Sequence, residues 1–107
     1  MEIKIQPIHF EASQQLEKFI QKKVNKLKKY HDGILLAEIV LKVVKPESAM
    51  NKDVSIKLIV SGQDFFAAKV SDTFEEAIDG VTDALQKQLI KFKQKQRNKE
   101  KNPTIIL

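Results

Sequence analysis

Two rows of lysines carry the most specific chemistry in this chain. At about 100° per residue, Lys18, Lys22, Lys26 and Lys29 fall along one flank of a helix, bordering its apolar stripe. Lys87, Lys91 and Lys95 repeat the pattern later, spaced four apart, so that successive turns aim an ammonium in nearly the same direction. Such rows suit a nucleic-acid backbone, whose phosphates recur at short intervals and release counterions as each is neutralised. Lysine is also the ordinary solvating residue of an exposed helix face, and either row alone reads equally well that way. Two rows with the acids gathered elsewhere favour a polyanion. If the helices lie side by side, the rows line or flank the groove between them. Lys23 is the odd one, because it projects into an apolar stripe of Phe19, Ile20, Val24 and Leu27. Its stem would snorkel, bringing its ammonium out at the seam between helices.

The charge is unevenly distributed. The formal sum is +5, with a pI near 9.4, a modest basis for a polyanionic partner. Residues Gln14 to Tyr30 carry +5, Asp72 to Asp83 carry −5 and Ala84 to Lys101 carry +6, leaving −1 for everything else. Both basic segments have helical periodicity, and the second follows an acidic segment within one continuous helix.

Other chemistries find little support. There are no cysteines in the 107 residues, which excludes disulfides and thiolate metal sites and is compatible with a reducing compartment. His9 and His31 fall at the ends of elements and read as surface or capping residues rather than a catalytic pair. With three glycines there is no phosphate-cradling loop, and no metal-ligand spacing or nucleophile elbow is present. Asp79 and Asp83 share a helix face but read as a solvated acidic surface. Phe65 and Phe66 do not fit an RNA-stacking motif and read as one core and one edge residue. The expectation is a non-enzyme without metal or cofactor. No signal peptide or membrane-length apolar run is evident, so the expected location is the cytoplasm.

The elements that would position the lysines follow from periodicity. Ile3 and Ile5 alternate with Glu2, Lys4 and Gln6, a half-buried strand ending near Pro7 to Phe10. Ser13 suits an N-cap, and Leu16, Phe19, Ile20, Val24, Leu27 and Tyr30 predict a helix over Gln14 to Tyr30. Gly33 suits a left-handed helix end. Ile34 to Lys45 is a β-branched strand, central because Val40 and Val44 leave its second face partly apolar. Pro46 to Asn51 reads as a loop, Val54 to Val60 as a third strand, Ser61 to Asp64 as a hairpin turn and Phe65 to Val70 as a fourth strand. Asp72 or Thr73 caps a last helix whose apolar residues are Phe74, Ala77, Ile78, Val81, Leu85, Leu89 and Phe92. The order β-α-β-β-β-α predicts an α+β two-layer sandwich. Its four-stranded sheet has a parallel first pair, and both helices cover one face. A single domain over residues 1–95 is expected, with a flexible basic tail over 96–107 that ends in the apolar run Pro103 to Leu107.

With this order in hand, the chain resembles the ribosome hibernation-promoting factor family, also called ribosome-associated inhibitor or sigma-54 modulation proteins. The resemblance spans Met1 to about Lys95. Leu16 to Leu27, L-E-K-F-I-Q-K-K-V-N-K-L, is similar to the family's L-x-x-Y/F-V/I-x-x-K-L-x-K-L helix. Glu76 to Lys91, E-A-I-D-G-V-T-D-A-L-Q-K-Q-L-I-K, is similar to its E-A-I-D-x-x-x-D-K-L-x-R-Q-L-x-K helix. The resemblance implies a fold similar to double-stranded RNA-binding domains, no enzymatic activity, and a small ribosomal subunit as partner. Members bind the messenger and transfer RNA channel through ribosomal RNA and hold ribosomes idle under stress or in stationary phase. Lys23 and Lys26 match the first motif, and Lys87, Gln88 and Lys91 match the second. Helical geometry adds Lys22, Lys29 and Lys95 to the expected RNA-binding set. Ala84 stands where the family usually has lysine and Ile90 where it often has a base, so the second row is thinner here. The chain looks like a short-form member, expected to be monomeric off the ribosome, without a membrane or small-molecule partner. A generic structured-RNA module, or a protein-interaction module assembling through Val40 and Ile59 on the sheet, stand as the alternatives.

Overall fold

Strand β1 (Glu2–Pro7) follows from the alternation of Ile3 and Ile5 with charged neighbours, which turns one side of the strand towards a core and the other to water. In the computed structural model, residues 1–45, 47 and 49–101 are described, the side chains of residues 96–101 excepted. Helix α1 (Gln14–Asn25) opens where Ser13 stops the chain in an extended conformation, its Oγ accepting from the Leu16 N–H at 3.1 Å. Strands β2 (Ile34–Val43), β3 (Lys52–Val60) and β4 (Phe65–Ser71) follow, and helix α2 (Phe74–Lys101) closes the order.

The sheet runs β1-β2-β3-β4, with β1 parallel to β2 and the remaining pairs antiparallel. This is the α+β arrangement expected from the sequence, with β2 central. Ala37, Ile39 and Leu41 of β2 and Val54, Ile56 and Leu58 of β3 are fully buried on the helix-facing side. Ile20 and Val24 of α1 and Ala77, Ile78, Val81, Leu85 and Leu89 of α2 cover them. At roughly 1.5 to 3 kcal/mol per large apolar side chain, this one layer dominates the stability of the domain.

Two details differ from the sequence reading, and a third that it left open is decided by the structure. The first helix does not run unbroken to Tyr30; after Asn25 it tightens into a 3-10 turn over Lys26–Lys29, closed by the Tyr30 N–H on the Leu27 carbonyl at 3.0 Å. Gly33 is not in the left-handed region, which among the glycines belongs to Gly62 at φ 89° in the β3–β4 turn. Gly33 is instead favoured by proximity: its N–H donates to His31 Nδ1 at 2.8 Å, and a Cβ there would lie 2.9 Å from His31 Cε1, so the ring would have to shift. Thr73 rather than Asp72 caps α2, its Oγ1 accepting from the Glu76 N–H at 3.1 Å. Asp72 turns back to accept from the Met50 N–H at 2.8 Å and ties down the β2–β3 loop. Helix α2 continues through residues 96–101, while residues 103–107, the apolar end singled out above, lie outside the described residues.

Ile56→Ala, which removes a fully buried side chain at the centre of the sheet, is expected to cost about 3 kcal/mol of unfolding free energy. Urea titration checks this through a lowered midpoint at unchanged slope; a loss below about 1 kcal/mol would contradict the single-core description.

Candidate nucleic-acid interface

The two helices meet along a seam, and the residues facing it follow from which side of each helix is buried. With Ile20 and Val24 turned to the sheet, Lys23 and Lys26 come round to the α2 side, while Lys18 and Lys22 point into solvent. Lys23 behaves as the sequence suggests. Its stem crosses the Phe19 ring, with Nζ 5.6 Å from the centroid, and its ammonium surfaces at the seam. There Nζ meets Asp79 Oδ1 at 2.9 Å. Asp79 is thus more than a solvated acid: it pairs across the helices with the lysine that interrupts the apolar stripe. Asp83 pairs within α2, its Oδ2 lying 3.3 Å from Lys87 Nζ one turn on.

Four clefts in three regions give the interface its shape. At the acidic end of the seam, about 200 Å³ lies between Lys23, Lys26, Leu27, Asp79, Thr82, Asp83 and Gln86. Towards the 3-10 turn, clefts of about 160 and 230 Å³ share Lys29, Tyr30 and Lys93. The third region, about 500 Å³, lies on the opposite flank of α2 against the β3–β4 turn, where Gln63, Asp64 and Phe66 face Gln88, Lys91 and Lys95. Gln88 Nε2 donates to the Phe66 carbonyl at 3.0 Å and pins α2 to β4.

The rows therefore do not form two walls of one groove. Each four-residue step on a helix turns about 40° past a full circle, so Lys87, Lys91 and Lys95 drift progressively from the crest of α2 to its β4 flank. The α2 positions that do face the first helix include Gln86, Ile90 and Lys93. Lys93 belongs to neither four-residue row, although its distance of three from Ile90 and seven from Gln86 places it on the same side of the helix. Among the described residues, no carboxylate lies within ion-pair distance of Lys22, Lys26, Lys29, Lys91, Lys93 or Lys95. The seam thus passes from a compensated end at Asp79 and Asp83 to an uncompensated basic end at Lys29 and Lys93.

The other face of the sheet is electrostatically different. Alternation puts Glu2, Lys4, Glu38, Lys42, Asp53 and Lys57 there, three acids against three bases. Lys4, Glu38 and Lys57 sit in register across three strands, an arrangement in which opposite charges face one another. That charged row separates Leu36 and Ile59 from Val40, so the apolar residues proposed for sheet-mediated assembly are not contiguous. By contrast, Gln14–Lys29 and Phe74–Lys95 together hold ten lysines and five acids.

Residues 3–97 match the family described as sigma 54 modulation protein / S30EA ribosomal protein. The chain belongs to that family. It is 33% identical over 95 residues to the ribosome hibernation promoting factor of Escherichia coli K12, covering 89% of this chain and 96% of that one. It is 28% identical over 98 residues to the factor of the same name from Pseudomonas putida, covering 92% of each. Its fold is similar to that of a ribosomal subunit interface protein from Coxiella burnetii, with a TM-score of 0.79 at 23% identity over 88% of this chain and 99% of that one.

A double-mutant cycle on Lys23→Ala and Asp79→Ala is expected to give a coupling of at most about 1 kcal/mol, because both side chains are partly solvated. Asp79→Asn with Asp83→Asn is expected to tighten binding to structured RNA several-fold at low salt, the gain fading as ionic strength rises. Unchanged or weaker RNA binding in a filter-binding assay would show that these acids do not oppose a polyanion.

Proposed function

We propose that this protein binds the small ribosomal subunit through its two-helix face, occupies the channel of messenger and transfer RNA, and holds idle cytoplasmic ribosomes out of translation under stress or in stationary phase. The observation that carries this reading is the difference between the two faces. One is neutral by strand register. The other bears uncompensated ammonium groups from two separate elements, held on a rigid support. A protein that fills an RNA-lined channel needs such a face, and affinity from phosphate neutralisation needs no enzymatic group. The names of the relatives, ribosome hibernation promoting factors, support the choice of the ribosome over an arbitrary RNA. On this reading Lys22, Lys23, Lys26, Lys29, Lys87, Gln88, Lys91 and Lys95 contribute to the contact.

Sedimentation with purified small subunits tests the proposal. Co-sedimentation is expected at low salt, with release as salt rises and competition by transfer RNA. Combining Lys26→Glu, Lys87→Glu and Lys91→Glu is expected to abolish it without lowering the unfolding temperature by more than a few degrees. Equal affinity for an arbitrary RNA duplex would favour a generic RNA-binding module. Absence of co-sedimentation at low salt would overturn the ribosomal reading.

A further inference from the structure

The two clefts sharing Lys29, Tyr30 and Lys93 are the place where unpaired cations from both helical segments line common concave surfaces. Lys29 ends the 3-10 turn and Lys93 lies on the α2 side turned towards it. Both are exposed, and among the described residues neither has a carboxylate partner. Asp32 is the single acid lining either cleft. Tyr30 is half-buried and lines both clefts, bringing a hydroxyl that can hydrogen-bond a phosphate oxygen. The floor is rigid: the His31 ring lies over Phe92 at 5.9 Å, Phe92 meets Phe65 edge-on at 5.4 Å, and the Gly33 N–H holds His31 Nδ1. In the neutral ring that bond leaves the proton on Nε2, so the loop offers a donor rather than a second acceptor.

We propose that Lys29, Lys93 and Tyr30 form a phosphate-binding cleft that takes a backbone phosphate of an RNA strand. This rests on the RNA-binding role proposed above and sharpens it in two ways. It assigns a contact to Lys93 and Tyr30, which neither the lysine rows nor the motif resemblance pointed to. It also places the strand at the 3-10 end of the seam, crossing α2 towards Lys91 and Lys95 on its other flank, rather than running along the seam past Asp79 and Asp83. A strand laid along the seam would bring phosphates against both carboxylates. One laid across the basic end meets four ammonium groups and a single nearby acid on each flank, Asp32 and Asp64.

The test uses the intact protein, a uridine hexanucleotide and inorganic phosphate, followed by amide chemical shifts and by binding at several salt concentrations. The hexanucleotide is expected to shift the amides of Lys29 to Gly33 and Ile90 to Gln94. Lys29→Ala with Lys93→Ala is expected to weaken binding about tenfold and to flatten the slope of log K against log salt by about 1 to 2. Lys29→Arg with Lys93→Arg should restore both, and Tyr30→Phe should weaken binding a few-fold at an unchanged slope. Thermal unfolding of each variant close to that of the parent separates lost contacts from lost structure. An unchanged slope in the double alanine variant, or an equal loss in Lys4→Ala with Lys42→Ala on the sheet face, overturns the cleft. Equal shifts from inorganic phosphate at matched phosphate concentration overturn its assignment to a strand. Loss of the hexanucleotide effect with ribosome co-sedimentation intact counts against the cleft alone; the reverse result counts against the ribosomal reading alone.

Discussion

Every charge on the two-helix face is placed by the burial of one apolar layer. Ile78, Val81, Leu85 and Leu89 of α2 and Ile20 and Val24 of α1 have a single surface on which to hide, the helix-facing side of β2 and β3. Once they are buried, the rotation of each helix is fixed and the bearing of every other side chain follows from the helical repeat. The energies are lopsided in the same sense. Each large buried side chain contributes roughly 1.5 to 3 kcal/mol. An exposed pair such as Asp83 with Lys87 contributes about 0 to 1 kcal/mol. The lysines are therefore dispensable to the fold, which leaves them free to be chosen for binding.

Most of the architecture could be read from the chain because it rests on local periodicity. The alternation in β1 and β3, the three- and four-residue spacing of apolar residues in both helices, and Ser13 as a cap are local signals, and the structure contains each of them. What escaped depends on contacts made across the fold. Nothing near Gly33 announces that the ring of His31 will fold back over Phe92, some sixty residues on, and crowd any side chain at position 33. The choice between Asp72 and Thr73 as cap is settled by Met50, whose amide claims the Asp72 carboxylate.

The sequence names candidate residues for the proposed interface but conveys less of their geometry. Lysines spaced four apart look parallel when counted along the chain, yet the residual 40° per step carries Lys95 well round from Lys87. Lys91 and Lys95 thereby come to lie against the β3–β4 turn instead of α1. The acidic half of α2 suits the positive start of the helix dipole and also reaches the seam, where Asp79 holds Lys23 and Asp83 holds Lys87. The gradient along α2 thus becomes a gradient along the interface, from a compensated end to a bare one. Under the proposed RNA-binding role, such an arrangement would limit where a phosphate chain lies, unlike a uniformly basic patch.

Position-resolved cross-linking to bound small subunits tests the central claim most directly, namely that the helical face and not the sheet face meets ribosomal RNA. Photoreactive residues replacing Lys26 and Lys93 on one face, and Val40 and Ile59 on the other, would be irradiated in the complex and the linked component identified. The account predicts RNA cross-links from Lys26 and Lys93 and none from Val40 or Ile59. RNA cross-links from the sheet positions, with the helix positions silent, would contradict it.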